Sequence, residues 1–233
     1  MHGGWSDGRT WLLGGPGPTR APFGGVPPRW FKDALDHLIE ERRCRPLIVV
    51  CPTCCNRSKC DSADFSLASQ LVGLWHREFV QCLMPAVESR YATYARTGFE
   101  SDLRASRNHR AFAGFSMGSV ACWHIFEHCL DFVRWFLPMS GNRGSGVGWA
   151  RRAVEANGMG KEDFTILATT GTDDFAAYAF ASEVAMLAER WPEQFKLGTN
   201  VFFRYGVSRT HEMGAAFGYV IANLAWIFPA QKE

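Results

Sequence analysis

Five short apolar runs in this chain show no alternation of polar and apolar residues. They are "PLIVVCPT" from Pro46, "RAFAGFS" from Arg110, "VRWFLPMSG" from Val133, "FTILATTG" from Phe164 and "NVFFRYG" from Asn200. A strand with one wet face alternates, whereas a run that does not alternate reads as buried on both faces. Stretches of helical spacing lie among them: "QLVGLWHREFVQCLMPAVESRYATY", interrupted by Pro85, then "VACWHIFEHCL" and "AYAFASEVAMLAERW". "RWFKDALDHLIEERRC" precedes the first run, with Phe31, Leu35, Leu38 and Ile39 on one face, and "MGAAFGYVIANLAWIF" closes the chain. Strands joined through helices pair in parallel, which predicts an α/β chain whose sheet is covered by helices on both faces.

With 233 residues, 47% of them hydrophobic, the chain suits one sizeable α/β domain. The Gly/Pro-rich stretch from Gly14 to Pro28 is a loop, too short and too near the start to divide domains. The net charge is +2 and its signs are mixed, with no basic tail, so neither nucleic acid nor an anionic membrane is the implied partner. No apolar run approaches the ~20 residues of a membrane span, and "MHGGWSDGRTWLLGGPG" lacks the basic start and apolar core of a secretory signal.

In a parallel sheet, catalytic residues sit on the loops after the strands. Ser116 lies there, in "GFSMG", between the run "RAFAGF" and the helix near Val120. Glycines two residues before and after a serine allow a tight strand-to-helix turn that lifts its hydroxyl above the sheet and turns the next amide, Met117 N–H, toward an oxyanion. A serine hydroxyl needs a base, and the chain order in such folds is serine, acid, histidine. His211, after "NVFFRYG", is the histidine in place. His37, His76, His109, His124 and His128 read as structural. The acid falls in "TGTDDFAAY", and of Asp173 and Asp174 we take Asp174, which would hold the imidazole tautomer. The second oxyanion donor falls to "MHGG": Gly4 N–H, with Trp5 as the fallback. Trp5 and Trp149 are the candidate platform for an aromatic acyl group.

Five of the eight cysteines lie between Cys44 and Cys60. "CPTCCNRSKC" lacks the second ligand pair of a structural zinc site, so no metal is assigned; free thiols, or a bridge from Cys54 or Cys55 to Cys60, are the open readings. A metal- or redox-sensing module built on this cluster is a rival that metal analysis would test.

Six segments, "LDHLIEERRCRPLIVVCPT", "MPAVESRYATYA", "HRAFAGFSMGS", "LDFVRWFLPMSG", "TGTDDFAAY" and "THEMGAAFGYV", together resemble the feruloyl and acetylxylan esterases of carbohydrate esterase family one, the esterase D-like family. The resemblance runs over essentially the whole chain. It implies an α/β-hydrolase fold and a cofactor-free Ser-His-Asp mechanism: Ser116 as nucleophile, His211 as base, and Asp174, whose match rests on its spacing to Tyr178, as acid. The implied partner is a small-molecule or polysaccharide-linked ester, such as ferulate on plant xylan. Rival readings are acetylxylan or general short-chain esterase activity, and a non-catalytic carbohydrate-binding protein. The family is often secreted.

Three departures carry expectations. Ser119 stands where the family has glycine or alanine, and the cysteine cluster replaces a polar or aromatic loop. Family members also have several strands ahead of the HGG loop, and one of them lies between the "PLIVV" and "AFAGF" strands. The single domain over residues 1–233 is therefore expected to be N-terminally truncated relative to the family, with two buried strands short of ladder partners. Each unpaired buried amide costs roughly 1–3 kcal/mol.

Overall fold

Every apolar run after residue 110 becomes a strand. In the computed structural model, which describes residues 1–4, 6–14, 27–54, 61 and 64–230, these are β1 (Ala111–Phe115), β2 (Trp135–Met139), β3 (Thr165–Gly171) and β4 (Val201–Gly206). They pair in the order β1-β2-β3-β4, and every pair is parallel. The helices are α1 (Gly8–Leu13), α2 (Trp30–Glu40), α3 (Phe65–Glu78), α4 (Met84–Glu88), α5 (Glu100–Ala105), α6 (Met117–Cys129), α7 (Gly148–Ala156), α8 (Ala177–Arg190) and α9 (Met213–Ile227). Among the described residues, no helix is long and apolar enough to cross a membrane.

Strand pleating sends neighbouring side chains to opposite faces, and two cores result. Phe112 joins a core built with α3, α6, α7 and α8, while Phe115 joins a second core built with α1, α2 and α9. Helix α6 is apolar around most of its girth because it is covered on most sides; Trp123, Ile125 and Phe126 are fully buried. Pro85 does not end the helix it interrupts. A π-helical turn over Phe79–Leu83 joins α3 to α4 and absorbs the irregularity that the missing proline N–H would impose.

The run "PLIVVCPT" departs from its reading. Residues 46–51 form no strand, and Ile48, Val49 and Val50 are 50%, 37% and 42% exposed. β-Branched residues make a strand only where a ladder partner stands beside them, and no described strand does. β1 pairs with β2 on one side; on the other it meets Met1, whose amino group donates to the Ala113 carbonyl (2.6 Å) and whose carbonyl accepts from Phe115 N–H (3.2 Å).

Candidate active site

Ser116 sits between β1 and α6 with φ 56° and ψ −117°, on the left-handed side of φ that costs a serine about 1–3 kcal/mol. The strain is enforced by contact. A Cβ on Gly114 would lie 1.9 Å from the Gly118 carbonyl oxygen. One on Gly118 would lie 2.3 Å from the Met1 carbonyl oxygen and 2.6 Å from that of His2. Ser116 N–H donates to the Met139 carbonyl of β2 at 2.8 Å, which fixes the turn to the sheet.

The loop after β2 is clamped against this turn. The hydroxyl of Ser119 (2.6 Å) and the indole N–H of Trp123 (3.1 Å) both donate to the Gly141 carbonyl. Ser119, the unusual residue after "SMG", is fully buried and serves as an anchor for the neighbouring loop.

Asp174 follows β3 and His211 follows β4. The loops bring His211 Nδ1 to 2.8 and 3.0 Å from the two carboxylate oxygens of Asp174, with both residues buried. Asp174 also accepts from Ala176 N–H at 2.8 Å. Burial pushes its carboxyl up, but the hydrogen bonds from His211, Ala176 and the Ser140 hydroxyl outweigh that and hold it below the usual carboxylate range. Asp174 is therefore ionised, and Nδ1 carries the proton of the shared bond. Asp173 is exposed, accepts from the Thr172 hydroxyl at 2.9 Å and caps nothing; the N–H bond at the following helix goes to Asp174 instead.

Gly3, Gly4, Ser6, Trp11, Phe115, Ser116, His211 and Met213 line one small cavity of about 20 Å³. The residues of the elbow, the histidine and the HGG loop thus share one space. Met117 opens α6, so its amide lies at the positive end of a helix, where an anion is favoured. His2 is buried beneath the loop, its Nδ1 bonded to the Gly3 carbonyl at 2.7 Å, and burial pushes the imidazole below its ordinary value.

Of the two candidate tryptophans, Trp149 alone lies among the described residues; Trp5 lies outside them. Trp149 does not line the Ser116 cavity. It is 4% exposed in the first turn of α7, edge-on to Trp123 and beneath the Arg143 guanidinium, because its indole fills core between α6 and α7. The aromatic rings that do meet the site went unread in the sequence. Phe115 and Phe175 lie 4.6 and 4.2 Å from the His211 ring, and Phe175 is 75% exposed. The signal was present, since Phe175 directly follows the acid at a strand end.

The remaining metal-type donors lie elsewhere. His124, Glu127 and His128 cluster on α6, but Arg143 bonds Glu127 at 2.6 Å and takes up that carboxylate. Cys55 and Cys60 lie outside the described residues. Cys122 and Cys129 are buried in the core, and burial pushes the Cys129 thiol up to about 12.

No protein-family model matches the chain. A relative does: endo-1,4-beta-xylanase Y of Acetivibrio thermocellus is 31% identical over an alignment of 207 residues that covers 84% of this chain and 18% of that protein. In three dimensions the whole chain overlays 77% of a mutant of the feruloyl esterase module from Clostridium thermocellum complexed with sinapinate, at a TM-score of 0.78 and 26% identity. Over its whole length the chain is similar to this feruloyl esterase module. The fold is shared with an enterobactin esterase from Shigella flexneri, with a TM-score of 0.52 and 18% identity over 83% of this chain and 47% of that one. The chain spans less than a fifth of the length of xylanase Y, since 18% of that protein is matched.

Proposed function

We propose that this chain is a serine carboxylic-ester hydrolase acting on hydroxycinnamoyl esters of plant xylan. The observation that carries the reading is the 2.8 Å bond from His211 Nδ1 to Asp174, made beside the cavity that Ser116 and His211 line together. The relative with sinapinate, a hydroxycinnamate, supports the acyl class.

With Nδ1–H donated to Asp174, the lone pair of the imidazole is on Nε2. Nε2 accepts the Ser116 proton as Oγ attacks the ester carbonyl. The tetrahedral oxyanion is held by the amides of Met117 and Gly4, donors that need no reorganisation when charge develops. His211 then protonates the departing sugar oxygen, and the C–O bond to the sugar breaks. Water, deprotonated by His211, attacks the acyl-enzyme carbonyl; the acyl–Oγ bond breaks, His211 returns the proton to Ser116 Oγ, and the acid leaves. Asp174 stays ionised throughout and stabilises the imidazolium.

Phe175, exposed beside His211, supplies an aromatic surface at the mouth of the site, which favours a phenolic acyl group over acetate. The test is hydrolysis of methyl ferulate and 4-nitrophenyl acetate by the native protein and by Ser116→Ala. A loss of roughly 10³-fold or more in kcat on both esters is expected. Near-full activity in the variant would remove Ser116 from the mechanism, a native rate favouring acetate would move the substrate to short-chain esters, and xylan-oligosaccharide binding without turnover would make the protein a binding module.

A further inference from the structure

Two neighbouring strands leave the sheet through strained serines. Phe115 of β1 pairs with Met139 of β2, so Ser116 and Ser140 stand side by side, each one residue past the last ladder pair. Ser116 has φ 56° and Ser140 has φ 51°. A serine keeps a positive φ only where its surroundings enforce it, and such positions gather at functional sites. The strain at Ser116 belongs to the nucleophile turn. Ser140 takes no step in the mechanism above, yet it is 1% exposed.

Its surroundings join the two halves of the site. Ser140 N–H donates to the Thr169 carbonyl of β3 at 3.1 Å. Just before it, the Met139 carbonyl accepts from Ser116 N–H at 2.8 Å. Just after it, a Cβ on Gly141 would lie 2.4 Å from the Ser116 carbonyl oxygen. The backbone on either side of Ser140 is thus held against the elbow. Its hydroxyl lies 3.1 Å from Oγ1 of Thr170, a fully buried residue of β3, and donates to the Asp174 carboxylate. Direction follows from charge. An ionised carboxylate only accepts, so the one proton of the Ser140 hydroxyl goes to Asp174. The Ser140 oxygen keeps its lone pairs, and the Thr170 hydroxyl donates to it. The chain runs from Thr170 through Ser140 to Asp174, whose two oxygens meet His211 Nδ1 at 2.8 and 3.0 Å. A carboxylate turns readily about its last bond, because that torsion is broad. Ala176 N–H holds Oδ1 at 2.8 Å. One such bond leaves the group free to swing, and a second sets its plane.

We propose that Ser140, oriented by Thr170, is a positioning residue that sets the plane of the Asp174 carboxylate and through it the direction of the His211 Nδ1 bond. The proposal rests on the Ser-His-Asp reading above. It also gives the strain a purpose. Glycine would take the same φ without cost but has no hydroxyl to offer the acid.

The experiment takes Ser140→Ala, Ser140→Gly, Thr170→Val and Thr170→Ser and measures three things: kcat and KM on methyl ferulate, the urea midpoint, and the low-field NMR resonance of His211 Nδ1–H. Ser140→Gly relieves the backbone, so its midpoint should match or exceed that of Ser140→Ala. Both Ser140 variants should lose roughly 10-fold or more in kcat with KM within about 2-fold of native. Both should also shift the Nδ1–H resonance. Thr170→Val keeps the shape of the side chain but not its hydroxyl, and should lower kcat and shift the resonance in the same direction. Thr170→Ser keeps the hydroxyl and should restore both. A merely structural role predicts instead that kcat follows the midpoint and that the resonance stays put. In a protein active on the ester, native kcat or an unmoved resonance in Ser140→Gly overturns the proposal. Should the Ser140 variants fail to fold, the Thr170 pair decides, and equal kcat and equal resonance in Thr170→Val and Thr170→Ser overturns it equally. The resonance needs no turnover. A native protein that hydrolyses no ester removes the hydrolase reading and leaves the resonance to decide this proposal, whereas unaffected variants of an active protein remove the proposal alone.

Discussion

His211 and Asp174 meet across the carboxyl ends of neighbouring strands, with Nδ1 within 3.0 Å of both carboxylate oxygens. β3 and β4 are in parallel register from Ile166↔Val201 to Gly171↔Gly206, so the loops after them leave the sheet side by side. The bond from His211 Nδ1 to the Asp174 carboxylate is then a consequence of strand pairing, and the proposed acid can be tested against its neighbour. Asp174→Asn should lower kcat roughly 10³–10⁴-fold while the fold persists, because the tautomer of His211 is no longer held. Asp173→Asn, at an exposed carboxylate, should stay close to native. Steady-state kinetics on methyl ferulate decide between them.

The same bond sets an acid limit. The Asp174 carboxyl lies below its ordinary value of 3.8, so its contribution to stability is present above 3.8 and is lost as pH falls through the depressed value. In Asp174→Asn that part of the acid transition should be missing from a urea-midpoint profile.

Gly118→Ala places a methyl group 2.3 Å from the Met1 carbonyl and 2.6 Å from that of His2. The N-terminal loop must move to admit it. We expect a destabilisation of about 1–3 kcal/mol, with kcat falling roughly 10²-fold as the Gly4 amide leaves its place. A native urea midpoint together with native kcat would show that the loop does not depend on this contact.

Phe175→Ala removes an exposed ring that lies against His211 and closes no core. Stability should stay within about 0.5 kcal/mol. The ferulate-to-acetate ratio of kcat/KM should fall about 10-fold, since only the aromatic acyl group uses the ring. An unchanged ratio would take Phe175 out of acyl recognition.

Glu183 is a buried residue of α8, 6% exposed, that accepts from the N–H groups of Arg143 and Gly144 at 2.8 Å each. Burial pushes its carboxyl up from 4.5 to about 7 despite those bonds. The folded chain then holds the proton more tightly than the unfolded one. The stability this group contributes is full below 4.5 and is lost as pH rises through about 7. The urea midpoint should decline across that window in the native protein, and Glu183→Gln should flatten the decline.

Much of the architecture was legible because it rests on local pattern. Non-alternating apolar runs separated by helical spacing allow only a parallel sheet, and Gly114 and Gly118 around Ser116 mark a turn that no larger residue could make. The order serine, acid, histidine followed from where strands end. Tertiary contact decided the rest. Which of Asp173 and Asp174 faces His211 depends on which side of one turn each carboxylate leaves, a matter of a single residue that no period resolves. Trp149 reads as a loop aromatic until α6 is packed against α7 and claims its indole for the core. "PLIVV" has every local mark of a buried strand, yet a strand exists only with a neighbour to bond, and residues 46–51 have none in the described structure. The sequence by itself determined the layers and put the candidate serine, acid and histidine at strand ends. Only the tertiary structure decided which side chains meet and where the sheet stays open, because both depend on backbone groups far apart in the chain.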